Sequence, residues 1–435
     1  MDLRERLRLL KAAGAARAAQ ERAAPAAAPV PPGRALPQPG PADGPRPFRL
    51  CDGLDGRLLP TEAGDAFVLE TRHPLTEYRG PLPLSWPLDL PGDVWPRLGR
   101  VAPEFDIRRA VFFDTETTGL AGGTGTYAFL VGLGFFDRDH FVVRQYFLRD
   151  FPEEEAMLAA IAADLAPFTC LVSFNGKSFD WPLLETRFRM ARRRPPLGGA
   201  PHLDLLHPAR RLWRDRLGSC TLQDLERAIL GETRVGDVPG AQIPSLYFEY
   251  LRTGDASPLA CVIEHNRLDI LSLVALAGRM GQMVADPLGP TPDGELLGGD
   301  DLYQLGRLFE ARGLLADALA CYEGARARGA ASVTEAALLR RLSFAYKRAR
   351  EQQQAVAIWE QMVEDGGLAL FPYIELAKYH EHVTHRYELA EALTARALAV
   401  AEQRRSLAAG GAQTEYREVL HRLERLRRKQ QRPSS

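Results

Sequence analysis

Val111-Phe112-Phe113-Asp114-Thr115-Glu116-Thr117-Thr118-Gly119-Leu120 is the stretch that decides how this chain is read. An apolar run from Ala110 to Phe113 leads directly into an acid, and Asp114 and Glu116 stand two positions apart. Alternate residues of a strand face the same side of a sheet, so both carboxylates leave one face at the strand's end. Two carboxylates held that close repel, and without a cation between them one tends to stay protonated. Hard oxygen donors of this kind suit Mg²⁺ or Mn²⁺. A bare D-x-E carries almost no information. The apolar run before it and Thr-Thr-Gly-Leu after it make it specific.

Two further motifs lie downstream. In Leu171-Val-Ser-Phe-Asn-Gly-Lys-Ser-Phe-Asp180, a buried strand passes through Asn175-Gly176 into a helix whose first turn carries Asp180. Pro182 fits that turn, where backbone N–H groups have no intrahelical partner. Alone, Asp180 would be read as an acid favoured by the helix dipole. In His265-Asn-Arg-Leu-Asp269, the imidazole and carboxylate are four apart and share one face of a long helix. Such a pair by itself is more often a surface contact. The weight comes from the order Asp, Glu, Asp, Asp, each beginning or ending an apolar element.

The surrounding pattern predicts an α/β layered domain over 105–285. Strands are expected at Ala110–Phe113, Tyr127–Phe136, His140–Phe147, Cys170–Phe174 and Leu203–Leu206. Helices are expected at Glu153–Leu165, Phe179–Met190, Thr221–Leu230 with Thr221 as N-cap, and Leu259–Met280. The Gly-rich connection Gly119–Gly125 lacks the Lys-Ser/Thr ending of a phosphate loop and reads as a turn. Before this domain, 1–47 comprises an amphipathic helix over 1–24 and an Ala/Pro/Gly linker, and 48–104 reads as an N-terminal extension with a strand near Ala66–Thr71. After it, the Pro/Gly-rich segment 286–300 marks a linker.

From 301 to 407 the chain turns helical and repetitive. Leu302, Leu305, Gly306, Phe309, Ala318, Tyr322 and Ala325 have tetratricopeptide spacing. Leu339, Leu342, Ser343, Tyr346, Ala355, Trp359 and Met362 repeat it, and Tyr373, Leu376, Ala377, His380, Ala390 and Ala397 form a weaker copy. A plain helical bundle is the competing reading. A basic helix over 408–435 closes the chain, with Val419, Leu420, Leu423 and Leu426 inward.

Composition bounds the partners. The 435 residues suffice for two or three domains, and a 46% hydrophobic, 26% charged chain is ordinary for a globular protein. No uninterrupted apolar run is long enough to span a bilayer, and charges recurring from Asp2 to Arg22 argue against a secretion signal. Five scattered cysteines without C-x-x-C argue against a zinc site or disulfide framework and fit a reducing cytoplasm. The net charge of −1 does not announce a nucleic-acid binder, but a nuclease needs only a local basic track. Possible contributors are Asn175, Lys177, the Arg192-Arg193-Arg194 run, and Arg210, Arg211, Arg214 and Arg216 around Trp213, although a charge run is usually a solvated face. Asp204 reads as a turn or cap residue that could also support the site.

Together the three acidic motifs resemble those of the DEDD 3′-to-5′ exonuclease superfamily, a ribonuclease-H-like group, over roughly residues 108–280. Segments such as His202-Leu-Asp-Leu-Leu-His207 and Asp237-Val-Pro-Gly240 look like its YprB-type branch, which joins such a domain to C-terminal tetratricopeptide-like repeats. The resemblance implies a mixed central sheet flanked by helices, followed by an all-α repeat domain. It further implies that Asp114, Glu116, Asp180 and Asp269 hold two divalent cations, Mg²⁺ or Mn²⁺, with His265 as general base. The better-known subgroups carry Y-x-x-x-D or H-x-x-x-x-D in the last motif, whereas this chain has His at the Tyr spacing. The expected activity is hydrolysis of phosphodiester bonds in single-stranded DNA or RNA, with a protein partner for the repeats and no membrane. A helical-repeat scaffold with an inactive nuclease domain is disfavoured, because unused clustered carboxylates cost stability. A ribonuclease-H-like endonuclease is disfavoured by finding Asp and Glu on one strand.

Overall fold

The computed structural model of the chain describes residues 46–51, 54–119, 125–291, 294–331, 333–407 and 413–430. The expected helix over 1–24, most of the linker after it and most of the Gly119–Gly125 connection lie outside these residues.

Among the described residues the main sheet has eight strands: β1 (Arg46–Arg49), β2 (Asp55–Thr61), β3 (Gly64–Pro74), β6 (Ala110–Thr117), β7 (Ala128–Asp137), β8 (His140–Phe147), β9 (Cys170–Ser173) and β10 (His202–Asp204). The short β4 (Tyr78–Arg79) and β5 (Leu82–Pro83) pair separately. The order across the sheet is β1-β2-β3-β8-β7-β6-β9-β10. All pairings from β1 to β6 are antiparallel, whereas β9 and β10 join in parallel. The segment read as an N-terminal extension, 48–104, therefore supplies β2, β3 and half of β1, whose Arg46 and Pro47 come from the segment read as linker.

β6 shows why the layers form. Ala110 to Phe113 are buried, as expected of a strand covered on both faces. Beyond them, half-buried Asp114 and Glu116 alternate with buried Thr115 and Thr117. The strand thus extends past the expected Phe113, and both acids lie within it rather than after it. Phe112 belongs to the cluster that includes Ile270 and Leu273, while Val111 and Phe113 join a second cluster with Leu184 and Tyr247.

The helices around the sheet are α1 (Trp86–Asp89), α2 (Val94–Gly99), α3 (Glu154–Leu165), α4 (Asp180–Met190), α5 (Leu206–Leu217), α6 (Leu222–Leu225), α7 (Ile243–Thr253) and α8 (Ala260–Ala285). Two expectations are corrected. The strand near 203 is His202–Asp204 and stops before Leu206, because α5 starts there. The helix expected over Thr221–Leu230 is capped by Thr221, which accepts from the Asp224 N–H at 3.2 Å, but passes into a π-helical turn at Glu226–Leu230. α8 lies in the most apolar helical stretch of the described chain, Ser257–Ala285, and 78% of its most apolar window is buried against protein.

A helical region follows: α9 (Gly299–Glu310), α10 (Leu315–Arg328), α11 (Glu335–Arg348), α12 (Gln352–Glu364), α13 (Phe371–His382), α14 (Tyr387–Leu407) and α15 (Gln413–Gln430). Small residues set the crossings. A Cβ on Gly306 would come within 2.5 Å of the Tyr322 ring, so only glycine lets α9 and α10 approach this closely. Val419, Leu423 and Leu426 of α15 are buried as expected, whereas Leu420, also expected inward, is half-buried.

The helical region and the sheet share one core. Leu302, Leu305 and Phe309 of α9 belong to the same buried cluster as Trp213 of α5 and Met283 of α8. Polar contacts tie the rim: Arg97 pairs with Asp317 at 2.7 Å, and Arg312 donates to the Leu98 carbonyl at 2.6 Å. Phe309→Ala, at a fully buried position, should cost about 3–5 kcal/mol of stability. The loss should appear as one cooperative transition covering both regions. Two separate transitions, with only the helical one displaced, would show that the shared cluster does not couple them.

Candidate active site

Of the four acids expected at the site, Glu116 and Asp269 come together beside His265, and Asp114 feels the charges of Asp269, Asp180 and Glu116. Phe112 faces the sheet side covered by α8, so Asp114 and Glu116, two and four residues further, turn toward that helix. Asp114 is paired across the sheet with Gly132 of β7. A Cβ on Gly132 would lie 2.3 Å from Asn266 Oδ1, so the glycine lets α8 press its Asn266 onto the strand. Fully buried Asn266 donates from Nδ2 to Asp114 Oδ2 at 2.9 Å, and Gln145 Nε2 in turn donates to Asn266 Oδ1 at 2.8 Å. Asn266 was passed over in the sequence, although it is the neighbour of His265.

His265 and Asp269, one helical turn apart on α8, point into the same space. His265 Nδ1 lies 2.7 Å from Asp237 Oδ1, while its Nε2 lies 3.5 Å from Asp269 Oδ2 and 3.8 Å from Glu116 Oε1. With Nδ1–H donating to Asp237, Nε2 carries the free lone pair and faces the acids. One ligand atom each from Glu116, His265 and Asp269 lie within 4.8 Å of one another, so two hard carboxylate donors for a divalent cation stand beside the imidazole. Asp180 enters from the first turn of α4, where the Thr115 hydroxyl donates to its Oδ1. The turn that presents it bends at Asn175 (φ 66°) and is held by Asp204, which accepts from the Asn175 N–H at 2.8 Å and the Lys177 N–H at 3.2 Å. Asp204 also accepts from the Leu206 N–H at 3.0 Å, so the turn-and-cap reading describes it.

Arg234 is the cation that the sequence did not reveal. Its side chain is only 5% exposed; Nη2 lies 2.5 Å from Glu226 Oε1 and also contacts Asp269 Oδ1, and Nη1 lies 3.2 Å from Asp237 Oδ2. Glu226 is buried and delivered by the π-helical turn, where the Ser272 hydroxyl also donates to it. Glu226 lies in the helix expected over Thr221–Leu230 and Asp237 opens the Asp237-Val-Pro-Gly240 segment, but no local spacing ties either of them, or Arg234, to His265 and Asp269.

Other expected contributors lie elsewhere. Arg192, Arg193 and Arg194 follow the C-terminal end of α4, about 16 Å along the helix from Asp180. Arg193 is committed to Glu62 at 2.8 Å. Trp213 is fully buried and presents no ring for a base to stack on, which corrects its expected role, and Arg216 faces Asp301 at 3.6 Å. Lys177 and Asn175 are exposed at the turn before Asp180.

The electrostatics follow from the crowding. Burial, then the charges of Asp269, Asp180 and Glu116, hold Asp114 well above the usual carboxylate range, against the Asn266 hydrogen bond. Burial and the other acids raise Glu116 likewise, with Arg234 opposing. Burial raises Asp269 despite Arg234 and His265, and burial brings Asp180 up to about 6 despite Thr115. Burial also acts to raise Asp237, but its bond to His265 and the charge of Arg234 hold it below the ordinary range.

For the raised acids, the folded chain holds protons more tightly than the unfolded one. For Asp180 that stability cost is absent in acid, grows as pH climbs from the ordinary carboxylate range through about 6, and is complete above that, and the other raised acids add to it in the same direction. A divalent cation relieves the cost only where the acids are ionised. The rise in melting temperature on adding Mg²⁺ or Mn²⁺ should therefore be largest above about pH 7 and dwindle below about 6. An equal rise in acid and in neutral buffer would contradict a carboxylate-held cation. In cation-free neutral buffer, Asp114→Asn should raise the melting temperature by removing one of the repelling charges.

Residues 111–281 match a family model described as RNase_H superfamily. The chain is 33% identical over 332 residues to the uncharacterized protein YprB of Bacillus subtilis (strain 168), covering 75% of this chain and 76% of that protein. Among solved structures it is similar to the family B DNA polymerase from the hyperthermophilic archaeon Pyrobaculum calidifontis, at 14% identity and a TM-score of 0.29, covering 57% of this chain and 34% of that one. The chain spans about a third of that polymerase's length. The identity and coverage shared with YprB and the match over 111–281 establish that this chain belongs to the YprB family and carries a domain of the RNase_H superfamily.

Proposed function

We propose that this protein is a metal-dependent 3′-to-5′ exonuclease of the DEDD type, hydrolysing phosphodiester bonds in single-stranded DNA or RNA. The observation that carries the reading is the convergence of Glu116 and Asp269 with the imidazole of His265, in a domain whose superfamily points to nucleic-acid hydrolysis. Nucleases of this superfamily usually use divalent cations, and in this reading two are held by Asp114, Glu116, Asp180 and Asp269. When bound, such cations supply Lewis-acid activation of water and stabilise charge on the leaving 3′-oxygen.

The chain's own groups do the rest. Asn266 fixes the rotamer of Asp114, and Thr115 that of Asp180, so the acids meet the substrate already oriented. Asp237 holds His265 with Nε2 toward the acids, where that nitrogen accepts a proton from the attacking water. Arg234, now engaged by Asp269, supplies a fixed positive charge beside the reacting phosphate. Residues 301–407 are read as tetratricopeptide-like repeats attached to the 105–285 domain.

Incubation with end-labelled single strands in Mg²⁺ or Mn²⁺ should give a ladder shortening from the 3′ end. A single internal cut would make the protein an endonuclease, and strand binding without hydrolysis would make it a scaffold. Asp114→Asn should abolish cleavage while the fold persists; near-normal turnover with Mg²⁺ as sole cation would defeat the metal assignment. His265→Ala should slow turnover by about 10²–10⁴-fold with little change in substrate affinity, and added imidazole should restore part of the rate. An alanine variant that melts early but turns over normally would leave His265 only a packing role.

A further inference from the structure

We propose that the helical region forms the second wall of a groove that grips the phosphate backbone of a nucleic-acid strand, with α5 of the catalytic domain as the first wall. The inference rests on the reading of the chain as acting on nucleic acid, and it gives the helical region a substrate-holding role.

The first wall is written into α5. His207, Arg210, Arg211 and Arg214 recur at helical spacing and are all exposed, while Leu206, Ala209, Leu212 and Trp213 on the other side are buried. A basic face is ordinarily balanced by acids, but among the described residues Arg210, Arg211 and Arg214 have no carboxylate partner. The second wall comes from α9 and α11, whose Arg307 and Arg341 line the same cavity of about 500 Å³. Its acids are already engaged: Asp215 by Arg307 at 2.8 Å and Glu310 by Arg341 at 2.8 Å.

A second observation points the same way. Among the described residues no acid pairs with Arg312, and burial together with the charges of Arg100 and Arg211 pushes it down to about 10. Its Nε and Nη1 are buried without a hydrogen-bond partner. Guanidinium groups gathered without counter-charge are costly unless an anion joins them, and a row of phosphates meets a row of arginines group by group.

Position favours a strand of nucleic acid over an acidic peptide. α5 begins directly after Asp204, the residue that holds the turn presenting Asp180. It leads away from the acidic cluster over about 18 Å. A strand with its end among the carboxylates has its backbone carried outward along this basic stripe.

The test measures binding with turnover disabled by Asp114→Asn in the full chain. A fluorescein-labelled thymidine oligonucleotide is titrated between about 50 and 200 mM salt. Arg210→Gln/Arg211→Gln/Arg214→Gln should weaken binding and flatten the log–log salt slope by about 2, and Arg307→Gln/Arg341→Gln by about 1. A charge-matched control at exposed positions, Arg138→Gln/Arg252→Gln/Arg417→Gln, should change neither. Unchanged binding in the α5 variant or in the α9/α11 variant with its melting temperature preserved, or no binding by the parent, would overturn the proposal. So would an equal loss in the control, or a parent that takes up an acidic peptide and not the oligonucleotide. Groove-dependent binding by a wild type that cleaves nothing would instead sink the nuclease reading and leave the groove standing.

Discussion

Mutual repulsion among partly buried carboxylates is the constraint around which the catalytic half is arranged. Asp114, Glu116, Asp180 and Asp269 come from a strand and two helices; burial pushes each above the ordinary carboxylate range, and neighbouring acids, Glu226 in the case of Asp269, add to the rise. A compact fold tolerates this only with compensating partners. Asn266 donates to Asp114, Thr115 to Asp180, and Arg234 contacts Asp269. These partners offset part of the repulsion; a cation would offset the remainder, which links stability to cation binding.

That arrangement needs close approach of α8 to the sheet, and the approach depends on Gly132. A side chain there would displace Asn266 and with it the contact to Asp114. The same helix carries His265 and Asp269, so one packing decision sets three site groups together. Behind α8, the shared cluster continues through Met283 and Trp213 into α9. The helical region is thus packed against the element that positions the site.

The recurring acids, the apolar run of β6 and the turn at Asn175-Gly176 were legible from sequence because local geometry dictates them. Alternation puts Asp114 and Glu116 on one face, and helical spacing puts His265 beside Asp269. The same holds for the helical region, whose small residues mark the crossings seen at Gly306 and Tyr322. Basic residues were the least legible. Arg193 is consumed by Glu62, while among the described residues Arg210 and Arg211 have no acid partner, and no local pattern separates those cases.

What the sequence by itself determined was therefore the strands and helices that carry the acids, and their order, since these follow from residue-by-residue periodicity and turn chemistry, while α5 and α7 were not read from it. Tertiary structure alone decided that 46–74 adds three strands to the central sheet, because strand pairing joins residues far apart in the chain. It alone placed Arg234 against Asp269 and Asp237 behind His265. It also buried Trp213 in the core and left its arginine neighbours facing a groove. Charge pairing acts through space between segments brought together only by folding, and periodicity along the chain carries no record of it.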